Sequence, residues 1–189
     1  MTKGSISDEE YFASIEELRK IPAQVEKVLE CNELVGQIAE EIKDANDIFY
    51  LGRGVDYSLA MEGALKIKEI SYVHAEAFAA GELKHGSIAL IDKGTPVVAI
   101  ATQGKLFEKM VSNMQEVRAR GARVIAITQE GNIEVEKSAD RVIYIPKVDD
   151  MFASITAVVP MQLLAYHASN IRGLDVDKPR NLAKSVTVE

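Results

Sequence analysis

The chain has few of the residues that mark several protein classes: among 189 residues it has one cysteine, five prolines and no tryptophan. A single Cys31 excludes an internal disulfide, fits a reducing cytosol, and is most simply a small buried side chain on a helix. No apolar run reaches the ~20 residues of a membrane span, and the polar start MTKGSISDEE has no signal-peptide core. We therefore expect a cytoplasmic protein with no membrane partner.

Basic residues are also scarce. The chain has 22 Lys and Arg against 29 Asp and Glu, which gives a net charge of −7. This balance argues against a nucleic-acid partner, and no basic stripe contradicts it. Apolar residues make up 47% of the chain. A chain of this length and composition is expected to fold as one domain with a full core.

The amino-terminal part predicts two amphipathic helices. Residues 1–12 are interpreted as a flexible N-terminus. A first helix is expected over Ala13–Glu30, interrupted near Pro22, and a second over Glu33–Lys43, with apolar side chains at helical spacing. Residues 13–176 are expected to form the domain, and residues 177–189 an irregular C-terminal tail that contributes to a binding site.

Beyond Asn46, short apolar runs rich in Val and Ile show no apolar/polar alternation, which is typical of strands buried on both faces of a parallel sheet. The expected strands are Ile48–Leu51, Pro96–Ala101, Arg123–Thr128 and Arg141–Ile145, with Ile88–Ile91 as a weaker fifth. The expected helices between them are Tyr57–Tyr72, Lys105–Arg120 and Asp150–Arg172. Alternating strands and helices predict a three-layer α/β fold, a five-stranded parallel sheet flanked by helices.

A glycine turn follows the first strand, at Gly52-Arg53-Gly54, ahead of a helix that carries Ser58. Such turns let backbone amides face an anion at the carboxyl end of a parallel strand. The motif lacks the third glycine of a dinucleotide fingerprint. An anion site and a purely structural turn therefore both remain open.

A polar face on the following helix carries Glu62, Lys66 and Glu69 at positions i, i+4 and i+7, so that the lysine reaches both carboxylates. The simplest interpretation is a solvated ladder of ion pairs. If the face lines a cavity, a carboxylate beside a lysine can move protons between adjacent sugar carbons. The local sequence favours the first interpretation.

Two further segments carry titratable groups. The segment His74–Gly86 (HAEAFAAGELKHG) concentrates two histidines, two glutamates and a lysine, and no Cys/His spacing suggests zinc. The tail carries Lys184, which could form an imine with a ketone only if the tail docks and the amine is either desolvated or held near another cation. We expect neither a metal nor a cofactor.

Several motifs resemble those of one enzyme family, the glucosamine-6-phosphate synthases. The motifs are EGALKIKEISYVHAEAFAAGELKHG (Glu62–Gly86), LLAYHASNIRG (Leu163–Gly173) and the tail DKPRNLAKSVTVE (Asp177–Glu189), supported by Leu51–Ala60. The resemblance covers about Ile15 to Glu189 and points to the second sugar-isomerase (SIS) subdomain of that family. It implies the SIS fold, a five-stranded parallel sheet between helices.

The resemblance also implies roles in sugar chemistry. Glu69 matches a glutamate that shuttles a proton between C1 and C2, and Lys66 a lysine that assists it. His85 matches a histidine that opens the sugar ring and comes from the neighbouring subunit of a homodimer. Lys184 matches the lysine that forms a Schiff base with the open-chain ketose, and Ala183 a residue that touches the sugar through its main chain.

The family converts fructose 6-phosphate and glutamine into glucosamine 6-phosphate and glutamate. The sequence shows neither the family's glutaminase domain nor its first SIS subdomain, so we expect an isomerase-domain piece that is inactive alone. The alternative is a binding or regulatory module for a sugar phosphate or a UDP-sugar, with an anion held at Gly52, Arg53, Gly54 and Ser58. A stand-alone SIS isomerase would need both half-sites in one chain.

Overall fold

Five strands form the centre of the computed structural model, which describes residues 6–182. They are β1 Asp47–Gly52, β2 His74–Ala79, β3 Pro96–Ala101, β4 Arg123–Gln129 and β5 Arg141–Ile145. Their order in the sheet is β2-β1-β3-β4-β5, and all neighbouring pairs are parallel. The predicted five-stranded parallel sheet is confirmed.

Helices cover both faces of the sheet. They are α1 Asp8–Val28, α2 Asn32–Glu41, α3 Val55–Ser71, α4 Phe107–Arg118 and α5 Ala153–Ile171. One buried apolar cluster joins the sheet to α2, α3, α5 and the end of α1, and a second joins it to α4. The domain therefore has the predicted three layers.

Strand β1 shows why the apolar runs do not alternate. Ile48 and Tyr50 belong to the cluster under α3 and α5, whereas Phe49 and Leu51 belong to the cluster under α4. Successive side chains of a strand point to opposite faces. A strand covered on both faces therefore needs apolar residues at every position.

The predicted fifth strand is wrong in position. Residues Ser87–Leu90 form a 3₁₀ turn, and the fifth strand is β2, within the segment His74–Gly86, where the sequence predicted no strand. Among the strands of residues 6–182, β2 pairs only with β1 and lies at the sheet edge. Its side chains are partly exposed, with His74 and Glu76 on the outside, so it lacks the continuous apolar signature of the other strands.

The first helix begins earlier than predicted, so that residues 8–12 are helical. Ser7 and Glu10 form a capping box, in which each backbone amide donates to the other side chain, at 2.8 and 3.2 Å. Two otherwise unpaired amides are satisfied in this way. The helix also continues through Pro22 instead of breaking there.

The amino-terminal half of α1 is largely exposed along its length. Its apolar side chains Tyr11, Phe12 and Leu18 are 51%, 64% and 45% exposed, and the first buried residue of the helix is Ile21. An apolar helix face of this kind is typical of a surface that another element covers. Within residues 6–182, no helix has both the length and the apolar composition needed to cross a membrane.

Candidate functional site

The polar face of α3 has the predicted ion pairs. Lys66 Nζ lies 2.7 Å from Glu69 Oε2 and 3.5 Å from Glu62 Oε1. The side chains of Lys66 and Glu69 are only 32% and 28% exposed. The hydrogen bond to Glu69 raises the pKa of Lys66, so that the lysine stays protonated at neutral pH. A protonated Lys66 can donate a proton but not accept one, which leaves a carboxylate as the base of this group.

Glu69 lies on the wall of a groove of about 560 Å³ between the carboxyl end of α3 and the C-terminal segment. The groove is lined by Leu65, Lys68, Glu69, Tyr72, Val73, His74, Arg180, Asn181 and Leu182. The local sequence favoured the interpretation of this α3 face as a solvated ladder of ion pairs. In the structure, the face borders a concave site. A partly buried carboxylate beside a cation in such a groove has the arrangement that acid–base chemistry needs.

The C-terminal segment reaches this groove through Arg180. Its backbone amide donates a hydrogen bond to Tyr72 Oη at 2.8 Å, and its guanidinium carbon lies 4.1 Å from the centre of the Tyr72 ring. The predictions from sequence missed both residues. The sequence did show a tyrosine at the predicted end of α3 and an arginine in the short tail. It could not show that they touch, because they are 108 positions apart in the chain.

The predicted site residues Ala183 and Lys184 lie outside the described residues, which end at Leu182. Leu182 itself lines the groove. Lys184 follows Leu182 by two positions in the sequence.

His85 is not brought to Glu69 within one chain. Glu69 lies near the end of α3, just before the amino end of β2, whereas His85 lies in the 3₁₀ turn Leu83–His85 that follows the carboxyl end of β2. At about 3.3 Å per residue, β2 alone separates these two edges by roughly 17 Å. The His85 side chain is 65% exposed, and its Nε2 lies 3.9 Å from Glu82 Oε2.

The glycine turn after β1 has a structural explanation. A Cβ on Gly52 would lie 2.1 Å from the carbonyl oxygen of Asp56, and Gly54 has φ +58°. The first glycine therefore permits close packing of strand and helix, and the second permits a left-handed backbone. Arg53 donates from Nε to Asn113 Oδ1 at 2.9 Å, and Ser58 is exposed on α3.

Two acidic side chains, Asp56 and Asp150, lie beside this turn, at the edge of the sheet where the strands end. Asp56 is buried and accepts hydrogen bonds from the backbone amide of Thr102 at 2.8 Å and from its hydroxyl at 2.6 Å. Asp150 accepts from the amide of Gly104 at 2.9 Å. Burial raises the pKa of Asp56, and the charge of Asp150 raises it further. Acidic groups that already accept from these amides disfavour an added anion.

A second cavity, of about 550 Å³, opens at the amino edge of the sheet. Its wall includes five acidic residues, namely Glu41, Asp44, Asp47, Glu76 and Asp92. His74 Nδ1 lies 2.7 Å from Asp47 Oδ1 there. This acidic wall is unsuited to a phosphate group.

Among residues 6–182, no three or more His, Cys, Asp or Glu side chains are placed to hold a metal ion.

The fold and the groove agree with one family. Residues 41–172 match the SIS domain model, and this chain belongs to the SIS domain family. The match includes the sheet, the α3 ion pairs and His85, but not the C-terminal segment of the groove.

Relatives give a more specific comparison. The chain is 51% identical, over its whole length, to a glutamine–fructose-6-phosphate aminotransferase (isomerizing) of Caldanaerobacter subterraneus. It is 55% identical, over 99% of its length, to the Thermus thermophilus protein of the same name. In both cases the chain spans about 31% of the relative's length.

Solved structures agree with these relatives. The C-terminal domain of glucosamine-fructose-6-phosphate aminotransferase from Francisella tularensis superimposes with a TM-score of 0.86 at 41% identity. The alignment covers 93% of this chain and 50% of that one. Glucosamine-6-phosphate deaminase from Thermotoga maritima gives a TM-score of 0.63 at 26% identity, covering 86% of this chain and 49% of that one.

Proposed function

We propose that this chain is the isomerase part of a glutamine–fructose-6-phosphate aminotransferase, acting on fructose 6-phosphate to form glucosamine 6-phosphate. The observation that carries the proposal is the position of Glu69, paired with Lys66 on the wall of a groove that the C-terminal segment completes. The names of relatives at 51–55% identity over almost the whole chain support the same reaction.

The proposed chemistry is a ketose-to-aldose conversion through an imine. The amine of Lys184 attacks the C2 carbonyl of the open-chain sugar, water leaves, and a Schiff base forms. Ammonia then attacks C2 and displaces the Lys184 amine, so that the lysine is released and the ammonia nitrogen forms the imine at C2. Glu69 removes a proton from C1 and returns a proton to C2, while charged Lys66 stabilises the carboxylate. The main chain at Ala183 contacts the sugar.

His85 is proposed to open the sugar ring from a neighbouring copy of the chain. Its place at the opposite edge of the sheet from Glu69 supports a role between chains rather than within one. The exposed apolar face of α1, with Phe12 at its centre, supports self-association as a homodimer.

The proposed setting is the cytoplasm, with no nucleic-acid or membrane partner. A net charge of −7 and a single cysteine support it. A glutaminase domain and a first SIS subdomain would supply ammonia and the remaining phosphate contacts in the complete enzyme. The carboxylates beside Gly52, Arg53 and Gly54 argue against the alternative anion site at that turn and at Ser58.

A hybrid enzyme tests the proposal. The matching 31% of the Caldanaerobacter relative would be replaced by this chain, and formation of glucosamine 6-phosphate would be measured with glutamine and fructose 6-phosphate. We expect substantial activity, and its loss on Glu69→Gln substitution. A well-folded hybrid without activity would reject the proposal. Calorimetric titration of the 189-residue chain with UDP-N-acetylglucosamine tests the alternative, and we expect no heat of binding.

A further inference from the structure

The residue that ends α3 has an unusual backbone. Tyr72 has φ +58° and ψ +18°, the left-handed conformation. Glycine is the usual residue at such a helix end, because a Cβ disfavours this conformation. Glycine would have neither a ring nor a hydroxyl. The tyrosine is therefore best explained by the contacts its side chain makes.

Within the described residues 6–182, the Tyr72 side chain makes a hydrogen bond and a cation–π contact, both with Arg180. The phenol oxygen accepts from the Arg180 backbone amide at 2.8 Å, and the ring face lies 4.1 Å from the guanidinium carbon. The first contact fixes the path of the main chain. The second fixes the direction of the side chain, through a cation–π interaction. Together they hold one residue of the C-terminal segment in both position and orientation.

The contact lies where the segment enters the groove. Tyr72 is three residues beyond Glu69, and both line the groove with Arg180, Asn181 and Leu182. A shift of Arg180 would therefore move the part of the segment that lines the groove beside Glu69.

We propose that Tyr72 and Arg180 form a clamp that positions the C-terminal segment Arg180–Leu182 against the wall that carries Glu69. The inference rests on the proposed function. Both are positioning residues: they act through the segment, and not on the sugar. Misplacement by about 1 Å can lower a rate by about 100-fold.

The first measurement needs no sugar. Amide hydrogen exchange of the 189-residue chain, followed by NMR, reports the Arg180 amide directly. Tyr72→Phe removes its acceptor and keeps the ring, and we expect roughly tenfold less protection of that amide. Arg180→Ala keeps the backbone donor and removes the stacking. Tyr166→Phe on α5 and Arg120→Ala in the turn after α4 change exposed residues that do not line the groove, and these matched controls should change nothing.

The second measurement uses the hybrid enzyme, in which borohydride traps the imine between fructose 6-phosphate and Lys184. For Tyr72→Ala and Arg180→Ala we expect at least a tenfold lower maximal trapping rate, with the half-saturating sugar concentration changed less than about twofold. Tyr72→Phe should recover part of the rate because it keeps the ring, and Arg180→Lys because it keeps a cation beside the ring as well as the backbone donor.

The outcomes separate the clamp from the proposed function. Wild-type trapping rates in both alanine variants would overturn the clamp and leave the function intact. If the wild-type hybrid traps no sugar, the proposed function fails, and the exchange data then decide the clamp alone. Unchanged Arg180 protection in Tyr72→Ala would overturn it in either case.

Discussion

Lys66 donates a hydrogen bond to Glu69 across 2.7 Å, one helical turn along the same face of α3. The Glu62 carboxylate lies 3.5 Å from the same ammonium on its other side. A cation between two carboxylates keeps its proton, and the pKa of Lys66 is raised accordingly. Only a carboxylate of this trio can therefore act as the base, and Glu69 is the one that lines the groove.

Glu69→Gln should abolish isomerisation while the imine still forms. The amide fills the same space but cannot accept the C1 proton, so turnover of the hybrid enzyme should fall by about 100-fold or more. Borohydride should still trap the sugar on the lysine. Glu62→Gln is the control, because Glu62 is more distant from Lys66 and does not line the groove. A Glu69→Gln hybrid with normal turnover would show that another group moves the proton.

Lys184→Arg and Lys184→Ala should both abolish sugar chemistry in the hybrid. Arginine keeps the positive charge but cannot form the Schiff base, so the pair separates electrostatics from covalent catalysis. Thermal stability should be nearly unchanged in both variants. Normal turnover in Lys184→Arg would show that the lysine acts only through its positive charge and forms no Schiff base.

Tyr50→Phe should stabilise the domain. The Tyr50 side chain is fully buried, and its hydroxyl has no hydrogen-bond partner among residues 6–182. Removing an unpaired buried hydroxyl should raise the free energy of unfolding by about 0.5–1.5 kcal/mol, measured by urea denaturation. Tyr144→Phe is the control, because that hydroxyl donates to Glu136 at 2.8 Å and its loss should not stabilise. A destabilised Tyr50→Phe would indicate a bound water at the hydroxyl.

Phe12→Ser should weaken self-association of the 189-residue chain. Phe12 is the most exposed large apolar residue of α1, and burying it between copies would contribute roughly 2 kcal/mol. We expect sedimentation to show a dimer at micromolar protein, and a dissociation constant at least tenfold higher for the variant. Ile133→Ser, at a similarly exposed position far along the chain, should have no effect. A monomeric wild type would contradict the homodimer.

The sheet was predictable because β1, β3 and β4 are buried on both faces and therefore read as continuous apolar runs, and because the partly buried β5 keeps an apolar run as well. Strand β2 was not, because an edge strand with exposed His74 and Glu76 has no such pattern. The Lys66–Glu69 pair followed from helical spacing alone. The groove did not, because it depends on the left-handed backbone of Tyr72 and on a return of the chain to Arg180. Contacts between positions so far apart leave no local periodicity.

The placement of Glu69 and His85 at opposite edges of the sheet has a consequence for mixed assemblies. If each site takes its glutamate from one copy and its histidine from the other, two inactive variants can repair one another. A dimer of Glu69→Gln with His85→Ala contains one site with both native residues and one with neither. Random reassortment should therefore restore about a quarter of wild-type activity in the hybrid enzyme. Sites built within a single chain would show no such rescue.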